Sequence, residues 1–126
     1  MQHRYLHLLL SALLTAGAVR AQSFTAGWNA SAALCPDSTV EGWGHSAFGM
    51  LGNGLPTGAN SSFPIQVQGL TGIKAVTLGY WSTEHLLALK YDGTVWGLGD
   101  NYYGQLGNGT TQNSLSPSAM AGITDA

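Results

Sequence analysis

The sequence predicts an all-β chain of antiparallel sheets, made of about two copies of one unit. Two features of the 126 residues carry that expectation. Glycine occurs 18 times and only 8% of the chain is charged, so the chain is rich in sharp turns and poor in solvated polar surface. "VEGWGHSAFGMLGNGLP", residues 40–56, also aligns without a gap on "VWGLGDNYYGQLGNGTT", residues 95–111, at an offset of 55. Val40 falls on Val95, Gly44 on Gly99, Gly49 on Gly104, and Leu51 and Gly52 on Leu106 and Gly107.

The repeat extends in both directions. "ALCPDSTV", residues 33–40, matches "ALKYDGTV", residues 88–95, and "TAGW" from Thr25 resembles "TLGY" from Thr77. "IQVQGLTGI", residues 65–73, faces "SAMAGITDA", residues 118–126. The copies lie near 25–76 and 77–126, a period that signals solenoids or propellers.

Each unit reads as about four short strands, or one sheet blade. "KAVTLGYW" alternates, with Val76 and Leu78 on one side. In "HLLALKYDGTVWGLG", Leu87 and Leu89 share a side, and Asp92-Gly93 supplies a hairpin turn. "PIQVQGL", residues 64–70, is a third alternating strand, and no stretch beyond the leader shows helical periodicity over ten residues. The glycines are expected to allow close backbone packing, and the aromatics, including Trp28, Trp43, Trp81 and Trp96, to fill the wedge between blades.

Residues 1–21 read as a secretory leader. Arg4 precedes an apolar run, and Val19 and Ala21 stand where a signal peptidase cuts. The apolar run is shorter than the roughly 20 residues of a bilayer span, so no membrane insertion is expected after cleavage. Removing Arg4 and Arg20 leaves two lysines against six acids, a balance of −4, which excludes a phosphate-binding patch and hence nucleic acid as a partner. The one cysteine, Cys35, cannot form an intrachain disulfide and is expected to be a small buried hydrophobe.

The motif pattern resembles the repeat of the regulator of chromosome condensation (RCC1) family. Gly79, His85, Asp92, Gly93, Gly99, Asn101, Gly104, Gln105, Leu106 and Gly107 fit its signature in the second copy, and Gly44, Gly49, Leu51 and Gly52 fit it in the first. The first copy departs from it, with Asp37-Ser38 in place of Asp-Gly and no matching histidine. The resemblance implies two antiparallel β-propeller blades of a normally seven-bladed ring. Two blades cannot close a ring, so the chain is expected to be a piece of a longer protein, a truncated product, or one member of a self-assembled ring.

Motifs for catalysis or cofactors do not stand out. There is no zinc spacing, phosphate loop or nucleophile elbow, and "DNYYGQLGNG" lacks the alternating acids of a calcium loop. No cofactor, metal or enzymatic activity is expected. The guanine-nucleotide exchange of the family's nuclear namesake does not fit a secreted chain, and the tryptophans read as packing residues rather than a photoreceptor's chromophores. The expected role is a secreted, non-catalytic module that binds a protein or glycan. The alternative is a structural repeat array in a longer surface or adhesin-like protein.

Overall fold

The structure, a computed structural model, describes residues 22–53, 59–81 and 84–126. The secretory leader read from residues 1–21 lies outside them. Eight strands follow in chain order: β1 Ser23–Ala26, β2 Ala30–Leu34, β3 Val40–Gly44, β4 Ser61–Gln66, β5 Ile73–Leu78, β6 His85–Lys90, β7 Val95–Gly99 and β8 Ser114–Ala119. They form two four-stranded antiparallel meanders, β1-β2-β3-β4 and β5-β6-β7-β8, with no helix among the described residues. The fold is therefore all-β and consists of two blades.

The repeat is visible in the hydrogen bonding. The β2–β3 turn closes with Cys35 N–H on Thr39 O at 2.9 Å, and the β6–β7 turn closes with Lys90 N–H on Thr94 O at 2.9 Å. Gly93 takes φ +85° in the second turn, and Ser38 takes +63° in the first. The missing glycine of the first copy thus leaves the turn geometry unchanged, at the cost of a left-handed serine. Both β3 and β7 shift register two residues before their ends, and Gly44 and Gly99 close these irregularities with the same φ, +103°.

The outer strands differ from the sequence reading. The strand expected at residues 64–70 runs instead over Ser61–Gln66. Pro64 and its counterpart Pro117 are tolerated because β4 and β8 are edge strands, where a missing N–H breaks no ladder. The chain then turns at Gly69, where φ is +83°.

The core is the seam between the blades. Ala30, Ala32 and Leu34 of β2 and Val40 of β3 face Leu78, Leu86, Ala88 and Leu98 of the second blade, all buried. Burying each of Leu34, Leu86 and Leu98 contributes about 2 kcal/mol. A loop leucine then fills the hollow beside a strand glycine in each blade. A methyl on Gly42 would lie 3.0 Å from Leu51 Cδ2, and one on Gly97 would lie 2.9 Å from Leu106 Cδ2. Backbone crosses the seam as well, with Ile73 N–H on Ser38 O at 2.9 Å.

The aromatics do not fill this wedge, contrary to the sequence expectation. Trp28, Tyr80, Trp81, Tyr102 and Tyr103 are exposed, and among the aromatics of the described residues Trp96 alone packs in part against the core. The strands approach through Ala32, Ala88 and Gly27, the last so close to the Gly79 carbonyl that a methyl would sit 2.7 Å from it. A seam this narrow takes aliphatic side chains and leaves the rings at the loops, exposed to solvent.

Gly99→Ala places a methyl against the Glu84 carbonyl at a left-handed φ and is expected to destabilise the chain by about 2–3 kcal/mol. Gly109 is also left-handed but opens onto free space, so Gly109→Ala is expected to cost about 1 kcal/mol. Urea melts of the two variants check that order.

Candidate functional site

One end of both blades gathers the long loops. The β1–β2 turn carries Trp28 and Asn29, the β3–β4 connection begins at His45, the β5–β6 connection carries Tyr80, Trp81 and Glu84, and the β7–β8 loop spans Asp100 to Asn113. The last of these is a rigid scaffold organised by one fully buried side chain. Asn101 accepts from Leu106 N–H at 2.9 Å, and its amide donates to Thr110 O at 2.9 Å, Gln112 O at 3.0 Å and Asn108 Oδ1 at 3.2 Å. Asn113 Oδ1 accepts from Asn101 N–H at 2.8 Å. Beside it, Gln105 donates to Asp100 Oδ2 at 2.9 Å and accepts from Tyr103 N–H at 2.9 Å. The first blade repeats the plan with a shorter residue. Ser46 Oγ accepts from Leu51 N–H at 3.3 Å, and Asn60 Oδ1 accepts from Ser46 N–H at 3.1 Å.

A hydrogen-bonded side-chain pair fastens the two loop ends together across the seam. His45 Nδ1 lies 2.7 Å from Glu84 Oε1 and 2.9 Å from Oε2. Glu84 is buried and the imidazole is partly exposed. Backbone bonds hold both residues in place, with His45 N–H on Asn29 O at 2.9 Å and Asp100 N–H on Glu84 O at 2.8 Å. Nearby, Leu78 N–H donates to Thr25 Oγ1 at 3.3 Å, a second polar tie between blades.

An exposed aromatic cluster spans the seam at the same end. Trp28 of the first blade meets Tyr80 edge-on at 6.0 Å and Trp81 at 5.9 Å, both from the second blade. Their exposures are 56%, 67% and 67%, so the cluster presents ring area to solvent rather than to the core. With the Asn29 amide turned so that its oxygen faces the indole, Trp28 Nε1 donates to it at 3.2 Å. Trp81 adopts φ +73°, an uncommon backbone for a bulky residue. Tyr102 and Tyr103 stack edge-on at 4.9 Å in the neighbouring loop.

The signature residues singled out in the sequence do not form one site. Asp92 and Gly93 lie at the opposite end, in the β6–β7 turn. Gly44, Gly99, Gly79 and His85 flank the loop-end strands, with His85 half-buried opposite Gly99. Gly49 lies against Leu115 of the second blade, and Gly52 against Leu98. Asn101, Gly104, Gln105, Leu106 and Gly107 share the β7–β8 loop, whose backbone closes through Gly104 N–H on Asn101 O and Gly107 N–H on Gly104 O. Sequence reading missed Glu84 as a seam residue, the Trp28–Tyr80–Trp81 cluster, and Asn60 and Asn113. The last two recur just before β4 and β8, and that recurrence was the available signal.

Among the described residues, no three His, Cys, Asp or Glu side chains gather to hold a metal. No helix among them is long and apolar enough to cross a membrane. Cys35 is buried, and that burial, with Glu41 nearby, pushes its thiol above the usual range against the pull of a Thr39 hydrogen bond. Asp37 and Asp92 are held below the usual carboxylate range, mainly by the hydroxyls of Thr39 and Thr94, each 2.6 Å from the acid, and then by the same residues' N–H groups.

Comparison with known proteins decides the family. Two models of the regulator of chromosome condensation (RCC1) repeat match residues 73–105 and 92–125. The chain belongs to the RCC1-like repeat family. It is 31% identical over 96 residues to the human E3 ubiquitin-protein ligase HERC2, covering 75% of this chain and 2% of that protein. To the ultraviolet-B receptor UVR8 of Arabidopsis thaliana it is 28% identical over 108 residues, covering 86% of this chain and 24% of the receptor. Among solved structures, Prp20p of Saccharomyces cerevisiae superposes with a TM-score of 0.70 at 19% identity, over 81% of this chain and 26% of that one. Human WBSCR16 gives 0.70 at 23% identity, over 84% and 27%. The two blades therefore have the RCC1 propeller fold, and the chain spans about a quarter of those propellers.

Three measurements check these contacts, two at the loop end and one at the opposite turns. Asn101→Ala strands several buried partners and is expected to cost about 3 kcal/mol in urea melts. In a double-mutant cycle, Glu84→Ala and His45→Ala are expected to couple by about 1 kcal/mol. The folded values of Asp37 and Asp92 are depressed, so their contribution is complete above the unfolded value near ~3.9 and is lost as pH falls through the lower folded value. Replacing both with Asn is expected to flatten the fall of melting temperature below about pH 4.

Proposed function

We propose that the chain is a secreted, non-catalytic binding module that grips a protein segment at the loop end of its blades. RCC1-like repeats mediate protein binding. Of the relatives, yeast Prp20p has been described with binding to Gsp1p and histones, and in complex with Kap60. The observation that carries the reading is the Trp28–Tyr80–Trp81 cluster. It sets exposed rings from two blades side by side at the end of the seam that the His45–Glu84 pair fastens. Aromatic rings held rigidly at a surface offer large contact area at little cost in side-chain entropy, as in binding interfaces generally. Secretion is supported by the apolar leader of the sequence.

The test is capture from the extracellular fraction of the source cells, comparing the natural chain with a Trp28→Ala, Trp81→Ala double variant. The rings are exposed, so the variant is expected to melt within a few degrees of the natural chain. A protein captured by the natural chain is expected to be lost from the variant. Capture that survives the double substitution places the binding surface elsewhere. Capture abolished by deglycosylating the extract assigns the cluster to a glycan instead.

A further inference from the structure

The loop end of the two blades is rich in electron-rich rings and poor in bases. Five rings are exposed there, and all are Trp or Tyr: Trp28, Tyr80, Trp81, Tyr102 and Tyr103. The two exposed phenylalanines, Phe24 and Phe63, lie within β1 and β4 instead. Beyond residues 1–21 the chain has two strong bases, Lys74 and Lys90. Both belong to the opposite end, Lys74 at the start of β5 and Lys90 at the close of β6, beside the Asp92-Gly93 turn. Apart from its histidines, the loop end carries charge of one sign, on the buried carboxylates of Glu84 and Asp100.

The opposite end shows what this chain does when a base and an indole meet. Lys90 Nζ sits 4.3 Å from the centroid of the Trp96 ring, a cation held over an aromatic face. Trp28 and Trp81 have no such partner at their own end, where neither lysine lies. Trp28 packs on Tyr80 and Trp81 with centroids 6.0 and 5.9 Å apart, so the rings fill the space between one another and turn their remaining faces to solvent. Trp81 stands at φ +73°, a backbone that persists in a bulky residue only where its surroundings impose it. Asp100 takes its hydrogen bonds from neutral donors, Gln105 Nε2 at 2.9 Å and Tyr102 N–H at 3.2 Å. Its negative charge is therefore not cancelled within the loop, and a buried charge is screened less than one in water. Glu84, three residues after Trp81, adds a second carboxylate, paired with His45. Ring faces and carboxylates attract the same kind of group.

We propose that the Trp28–Tyr80–Trp81 cluster receives a basic side chain, arginine above all, from the partner protein. This rests on the reading of the cluster as the gripping surface and names the chemistry that surface selects. A guanidinium is planar, always charged and weakly hydrated, so it lies flat on an indole face and gives up water at little cost. Charge and rings then divide the task. The carboxylates of Glu84 and Asp100 draw cations to the loop end, and the ring faces hold them. An acidic segment is repelled, and a neutral one gains ring contact without the attraction.

The probe is a fluorescent glycine–serine peptide carrying spaced arginines. It is compared by fluorescence anisotropy with the same peptide in which citrulline, a neutral isostere, replaces each arginine. The natural chain is expected to bind the arginine peptide about tenfold more tightly, with the difference shrinking as salt is added. The Trp28→Ala, Trp81→Ala double variant is expected to lose that preference. Trp28→Phe with Trp81→Phe keeps two rings that attract a cation less than indole does, and is expected to fall between. Melting curves close to that of the natural chain show that each variant folds, and the comparison of the two peptides on the natural chain needs no variant. Equal binding of both peptides, lost together in the alanine variant, overturns the choice of a cation and leaves the cluster as the gripping surface. An arginine preference that survives the alanine variant also overturns it, and moves the cation to other carboxylates, such as Asp37 and Asp92 of the opposite turns. Absence of binding to either peptide overturns it too, while the capture experiment still decides whether the cluster grips a protein.

Discussion

Everything in this structure depends on the burial of one blade's face by its neighbour. A four-stranded meander has two faces, and neither of these sheets is thick enough to bury one by itself. The seam does so with alanines and leucines on both sides, Ala30, Ala32 and Leu34 against Leu86, Ala88 and Leu98. The alanines let the sheets approach, and the leucines then fill what remains. The exposure of most large aromatics follows from the same narrowness.

The glycines and loop polar residues follow from that close approach. A strand glycine in each blade, Gly42 or Gly97, opens room for a leucine returning from the loop. The loop can return only because its backbone polar groups are satisfied internally, by Asn101 in one blade and by Ser46 with Asn60 in the other. A loop fixed in this way gives its rim residues a defined position without core packing of their own. Trp28, Tyr80 and Trp81 stand in solvent on the other two loop-end turns, which are tied together by His45 N–H on Asn29 O and by the His45–Glu84 pair. The buried seam and the exposed aromatic cluster at the rim are thus linked through a short chain of named contacts.

The blade plan could be read from the sequence because it is periodic. The offset of 55 between Val40 and Val95, the alternation of Leu87 and Leu89, and the Asp92-Gly93 turn all report local constraints, and local constraints leave local patterns. Features set by blade against blade could not be read in this way. Glu84 stands next to His85 in the chain, yet its partner is His45, in the other unit. The aromatics were expected in the wedge because their size suggests burial, but the spacing between sheets, which decides the matter, is set by Gly27, Ala32 and Ala88 together. The strand around Pro64 began earlier than alternation suggested, because an edge strand tolerates residues that a central strand does not. Ser38 shows the reverse case, where a substitution in the motif changed nothing in the turn.

The measurement that bears most directly on the seam is native-state hydrogen exchange, comparing amides of β2 with those of β6. Those strands belong to different sheets and meet only across the buried face. If the seam holds both blades together, the slowest amides of Ala32 and Leu34 share one opening free energy with those of Leu86 and Ala88, and both sets respond equally to added urea. If one blade keeps its protection while the other exchanges through an independent opening, the blades are separately stable and the seam is not what holds the molecule together.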